Sequence, residues 1–234
     1  MTAGKSWAPI RGKRMRLTRL TAAAAPDTTG LAAMVVSKGF VTAKLTPQYD
    51  EGQKVQQKTS NGDYCINEPA TKIVEGVVTE IQFCGVDPDI YSLITGQPVV
   101  LDGQGQAVGF RLAGGVPVTD GFALEVWTGV AGNSAQGDIS GNGWGYFLVP
   151  YLYGGKVGEL LIQDGAATFT VTTESRENPG WGTGPYDVVD TSATGSPLEP
   201  GPLLTPIGPK DHVHLQYTTI TPPAVTAGLV TLAA

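Results

Sequence analysis

Between Ile73 and Gly96 the sequence changes period, and no other stretch constrains the fold as much. Ile73, Val77, Ile81 and Phe83 fall on one side of an extended segment, and Gly76, Glu80 and Gln82 on the other. That alternation predicts a strand with one buried face. After Cys84-Gly85 the pattern becomes helical. Asp87 can accept from the free N–H groups of a first turn, Pro88 suits the first helical position, and Asp89 places negative charge at the positive end of the dipole. Ile90, Leu93 and Ile94 share a helical face, and Gly96 is a stop. This is the one short helix that the sequence supports. It should flank a β-structure as a lid.

The rest reads as strand and turn. The 234 residues include 32 Gly and 17 Pro among many short Val-, Thr- and Tyr-rich runs, which points to one all-β domain over 1–234. No apolar run nears the ~20 residues that span a bilayer, and the N-terminus lacks a secretory pattern. The expectation is therefore a chain made and used in a cytosol, or released by assembly or lysis, with no membrane partner. Charge is divided unevenly. Residues 1–72 carry 11 Lys/Arg against 5 Asp/Glu, and residues 73–234 carry 4 against 16. One end of the chain is expected to meet something acidic, either nucleic acid or the acidic body of another copy.

Residues 1–15 read as an N-terminal arm. Trp7 and Ile10 flank Pro9, and Arg11, Lys13 and Arg14 follow. A free basic tail is the plain alternative, but such tails rarely carry Trp and Ile. Arg16 to Leu20 predicts a short strand, and Val35 to Thr46 another. Residues 40–66, with Asn61-Gly62 as a turn, predict a long, largely polar hairpin that is either mobile or packed on another molecule. Val99 to Leu101 and Val108 to Leu112 flank a glycine turn, and Phe122 to Trp127 alternates. Asn133 to Gly145 reads as a loop. Trp144 to Tyr153, Val157 to Gln163 and Ala167 to Thr173 predict a three-strand meander turned at Gly154-Gly155 and Asp164-Gly165. The Gly/Pro-rich region 174–210 is too long for a minimal connection and predicts a functional loop or contact surface. His212 to Ile220 is the last strand, before a small apolar tail.

No catalytic set can be assembled, and the chain is read as a non-enzyme without a cofactor. His212 and His214 share a strand face beside Asp211, but no third metal ligand follows at a sensible spacing; Glu199 lies across the loop. The runs Gly180–Gly184 and Gly141–Gly145 lack the strand, helix and Lys-Ser/Thr of a phosphate loop. Trp127, Trp144, Tyr151, Tyr153 and Trp181 could form a sugar platform or simply fill a core. Cys65 and Cys84 show no framework spacing; Cys84 reads as a small buried hydrophobe, with a disulfide the less favoured reading.

Five segments in order carry a family resemblance: Trp7-Ala8-Pro9-Ile10-Arg11-Gly12, Phe83-Cys84-Gly85-Val86-Asp87-Pro88-Asp89, Gly143-Trp144-Gly145-Tyr146-Phe147-Leu148-Val149-Pro150, Gly180-Trp181-Gly182-Thr183-Gly184-Pro185-Tyr186 and Asp211-His212-Val213-His214-Leu215. Together they resemble the major tail protein, the tail-tube subunit, of long non-contractile-tailed phages of actinobacteria. The resemblance implies an all-β β-sandwich or partial barrel with one flanking helix, forming hexameric rings that stack into a tube. Its implied partners are further copies of itself, the tape-measure protein and double-stranded DNA in the lumen, and tail-tip and terminator proteins. Its implied location is the virion, assembled in the host cytoplasm. Trp7, Ile10, Arg11, Lys13, Arg14, Arg16 and Arg19 would then reach neighbouring subunits. Glu80 and Glu125, each opposite the apolar side of its strand, are the candidate lumen-facing acids that would let DNA slide. The alternative is a phage accessory β-sandwich that binds a carbohydrate or another virion protein.

Overall fold

A computed structural model describes residues 6–29, 32–85, 87–117, 121–132, 142–161 and 168–232. The first residues of the expected arm, most of the loop expected at 133–145 and the Asp164-Gly165 turn lie outside the described residues. The fold is all-β with one short helix. In chain order the elements are β1 (Pro9–Arg19), β2 (Ala32–Ser37), β3 (Phe40–Asp50), β4 (Val55–Lys58), β5 (Tyr64–Glu68), β6 (Ile73–Phe83), α1 (Pro88–Thr95), β7 (Val99–Leu101), β8 (Ala107–Phe110), β9 (Phe122–Val130) and β10 (Trp144–Leu161). They are followed by β11 (Thr168–Ser175), β12 (Val189–Asp190), β13 (Pro200–Gly201), β14 (His214–Thr218) and β15 (Val230–Thr231). No helix among the described residues is long and apolar enough to cross a membrane.

Nine strands form one antiparallel sheet in the order β15-β2-β1-β9-β10-β11-β6-β3, with β14 also on β10. The sheet curls but does not close into a barrel. Phe40 of β3 lays its ring where a side chain on Gly12 of β1 would sit, so the far edge comes back over β1. Between the two halves lies the main core. Met15 and Leu17 of β1, Ile81 and Phe83 of β6, Phe122 and Leu124 of β9, and Val149 and Val171 of β10 and β11 meet there under α1.

The strand-to-helix reading holds in detail. Asp87 accepts from the N–H groups of Asp89 (3.1 Å) and Ile90 (3.2 Å), and Gly96 takes a left-handed conformation at φ 69°. Ile90, Leu93 and Ile94 are buried. The helix comes so close to β10 that a side chain on Gly155 would lie 2.3 Å from the backbone oxygen of Ile94. That contact explains one correction. Gly154-Gly155 is not a turn: Gly154 has φ 75° and the register slips between Tyr153 and Lys156. β10 therefore bends through a bulge and continues for 18 residues. Its first half pairs with β9 and β14 and its second half with β11, so one strand serves both halves of the curl.

Four other expectations are corrected. The arm is not free: Pro9–Arg19 is a full interior strand paired with both β2 and β9. The strand expected over Val35 to Thr46 breaks at Lys38-Gly39 into β2 and β3. β3 does not form a hairpin with its successor; it pairs along its length with β6, and β4–β5 is a separate small hairpin at the tip. Cys84 is exposed rather than buried, and both cysteines are free.

Tyr91 sits fully buried in the core, stacked on Phe110 at 4.3 Å, with a hydroxyl that has no hydrogen-bond partner among the described residues. Burial pushes its phenol up to about 12, from 10.0. Above pH 10 the unfolded chain sheds this proton while the folded chain keeps it, so the tyrosine contributes a loss of stability as pH rises toward about 12. Tyr91→Phe keeps the ring and removes an unsatisfied group. It should be neutral or stabilising at pH 7, and urea midpoints should fall less steeply between pH 9.5 and 11.5 than for the natural chain.

Candidate assembly surface

A sheet with two buried faces must place every side chain of its central strands in an interior. On β9, Phe122, Leu124 and Val126 face the main core, and Ala123, Glu125 and Trp127 face the other way. That second face is not solvent. Trp181, Val188, Leu203 and Ile207 of the Gly/Pro-rich region cover it, making a second core with Trp127, Trp144, Tyr146 and Leu148.

Glu125 is therefore no lumen acid; it is wholly buried. Its carboxylate takes two bonds from Arg16, Nε at 2.5 Å and Nη2 at 2.6 Å, and one from the Tyr146 hydroxyl at 2.8 Å. Register places the pair directly opposite each other on β1 and β9. The Arg16 guanidinium lies 3.2 Å from the centre of the Tyr186 ring and 5.0 Å from that of Trp127. Thr18 Oγ1 and the Tyr186 hydroxyl are 2.8 Å apart. Burial opposes the Arg16 charge, but Glu125 outweighs it and raises the guanidinium further. Burial, then Glu125, pushes the Tyr146 phenol well up.

Of the residues expected to reach a neighbour, Arg16 is thus committed within its own chain. Arg14 is also buried, with Nε bonded to the Pro223 carbonyl at 3.2 Å. Trp7 is half-buried against its own strand β10, edge-on to Phe147 at 6.0 Å and over Gly145. Lys13 and Arg19 are half-buried, while Ile10 and Arg11 remain exposed. The sugar platform does not form, because Trp127, Trp144 and Trp181 are buried in the second core. The histidines have separate partners: His212 Nδ1 meets Ser175 Oγ at 2.8 Å, and His214 Nε2 meets Gln216 Oε1 at 3.0 Å. Among the described residues no group of three potential ligands could hold a metal.

Glu80 stands differently. It is exposed on β6, on the sheet face away from the main core, opposite Lys44 of β3 and Thr172 of β11. Thr42, Gln82, Thr170, Glu174 and Lys156 share that face by register. It is polar and close to neutral.

The outstanding surface is the ribbon made by the distal ends of β3 and β6 with β4–β5. Every residue from 47 to 75 is exposed, a run of 29. Backbone ladders hold it, along with solvent-facing contacts: Gln56 to Asn67 at 2.5 Å, Lys72 to Glu51 at 2.5 Å, and Lys58 over Tyr64 at 4.9 Å. Such contacts contribute little in water, and a two-stranded hairpin is marginal by itself. Yet Tyr49, Val55, Tyr64, Ile66, Ile73 and Val74 stand there with 47–57% of their surface in solvent. The sequence reading saw the polar residues of this hairpin and missed these. Their signal was available, since Val55, Tyr64 and Ile66 flank the Asn61-Gly62 turn. Among the described strands β3 is also the sheet's edge, with only β6 as neighbour.

Compared with models of protein families and with curated proteins, the chain matches none.

The buried pair yields a test. Arg16→Met leaves the Glu125 carboxylate buried without its cation and should cost about 3–5 kcal/mol, whereas Arg16→Met with Glu125→Leu should recover most of that. Urea unfolding midpoints, with soluble yield where the single variant fails, read the difference.

Proposed function

We propose that the chain is the repeating subunit of a phage tail tube, polymerising as stacked hexameric rings around a channel that conducts DNA. The observation that carries this reading is the 29-residue exposed ribbon, which has apolar side chains and no core of its own. A monomer gains nothing from ordering such a segment; a neighbour that covers it does. The uncovered edge of β3 supports the same reading, because pairing between copies removes edges.

In this assembly the polar face of β10, β11, β6 and β3 lines the channel. Glu80 is then a lumen residue with Lys44 across from it, and hydroxyl and amide groups of Thr42, Thr170, Thr172 and Gln82 surround both. A near-neutral wall neither traps the phosphate backbone nor releases counterions on contact, so the duplex slides. The role is passive and needs no cofactor. Other copies, the tape-measure protein and DNA within the lumen, and the tip and terminator proteins at the ends are the partners, in a virion assembled in the host cytoplasm.

Asp50 and Ile73 are register partners, so residues 51–72 can be replaced by Asn-Gly as a two-residue hairpin loop without disturbing the sheet. Negative-stain electron microscopy at rising concentration should show rings or tubes with a central hole for the intact chain. It should show only monomers for the shortened one, at unchanged thermal stability. Tubes that survive the deletion would remove the ribbon from the account. Monomers at every concentration of the intact chain would contradict the tube.

A further inference from the structure

The two layers of the curled sheet meet unevenly. At one end Phe40 of β3 lays its ring over Gly12 of β1 and closes the gap. A bulge after Phe40 keeps Ala43 and Leu45 on the same face, in register with Ile81 and Thr79 of β6. Ala43 carries only a methyl group there, and an apolar cavity of about 330 Å3 lies between β3 and the β9–β10 pair. Its floor is two cross-strand pairs, Phe147 with Val126 and Val149 with Leu124. Thr128 comes next on that face of β9, and its partner on β10, Gly145, brings no side chain. The Thr128 hydroxyl is buried with no partner among the described residues. We propose that this cavity binds a flat, uncharged molecule of the size of two fused aromatic rings, which bears one hydrogen-bonding group for Thr128. The assignment does not rest on the tube reading.

Size comes first. An apolar cavity of about 150 Å3 holds one benzene ring. This one, at about 330 Å3, is sized for a bicyclic molecule. It also falls at the lower end of the range of about 300–1,000 Å3 in which small-molecule pockets lie, mostly apolar with few polar groups.

Polarity narrows the ligand further. A buried water needs about two to four polar partners, and a single side-chain hydroxyl stands in this lining. A charged ligand would leave water for walls that carry no charged side chain among the described residues. An uncharged ligand meets neither penalty. The walls are two facing layers of sheet, one of them carrying the Phe147 ring, so the space between suits a flat aromatic molecule. Thr128 orients it. A hydroxyl both donates and accepts, so a phenol or a carbonyl on the ligand can supply the bond that the fold leaves unmade.

Equilibrium dialysis of the dilute full chain against three fluorescent probes tests this: 2-naphthol, naphthalene and 2-naphthalenesulfonate. 2-Naphthol should bind saturably at one site per chain, naphthalene about fivefold more weakly for want of the hydrogen bond, and the sulfonate not at all. Thr128→Val should erase the difference between the first two probes. Ala43→Trp puts an indole of the ligand's own size into the cavity, and should abolish binding of both while circular dichroism stays that of the natural chain. No saturable binding of 2-naphthol, or equal binding by the Ala43→Trp variant, would overturn the assignment. Should Ala43→Trp fail to fold, Thr128→Val decides alone, because a preference for 2-naphthol that survives it also overturns the site.

Discussion

Arg16 and Glu125 face each other on adjacent central strands, and the architecture follows from what it takes to bury them. A carboxylate and a guanidinium can leave water together only with bidentate geometry and their remaining bonding capacity met. Tyr146 supplies one bond, and the rings of Tyr186 and Trp127 offer their faces to the cation. Tyr186 belongs to the Gly/Pro-rich region, so the pair ties that region to the sheet. The region in turn brings Trp181, Val188, Leu203 and Ile207 over the second face. The second face of β9 and of the first half of β10 is thereby buried within the chain.

The other half is arranged differently. β11, β6 and β3 bury one face against the helix and main core and leave the other polar. β3 and β6 then continue past the last pairing with β11 as a bare ribbon. Burial thus runs along a gradient, from a centre buried on both faces, through a one-sided sheet, to a ribbon buried on neither. The tube reading assigns a use to each: a rigid body, a channel wall and a reach toward the neighbour.

Much of this was legible in the sequence, for definite reasons. The β6–α1 transition was readable because alternation, an Asp-Pro cap and a Gly stop are local, and no distant contact overrides them. Glu80 was placed on a polar face because its strand has only one buried side. Glu125 was misplaced by the same reasoning. Parity puts a residue opposite the apolar side chains of its strand, but it says nothing about a cover supplied 60 residues later by a region with no period. Gly154-Gly155 was misread because a glycine pair can reverse a strand or bulge it, and the choice was made by Ile94 of the helix pressing on Gly155. The basic arm was misread for a related reason. Arg14 to Thr18 alternate as a strand does, but parity alone sends Arg14 and Arg16 to solvent, and only partners far along the chain bury them and make Pro9–Arg19 an interior strand.

The central claim is that the ribbon from 47 to 75 lacks support in its own chain and gains it from neighbours. Hydrogen–deuterium exchange on dilute protein and on the sedimenting fraction of concentrated protein measures this directly. The account predicts that backbone amides of β4, β5 and the distal ends of β3 and β6 exchange rapidly in the monomer and become protected in the assembled fraction, while those of β1 and β9 stay protected in both. A ribbon already as protected as β9 in dilute monomer, or one still unprotected in the assembled fraction, would contradict it.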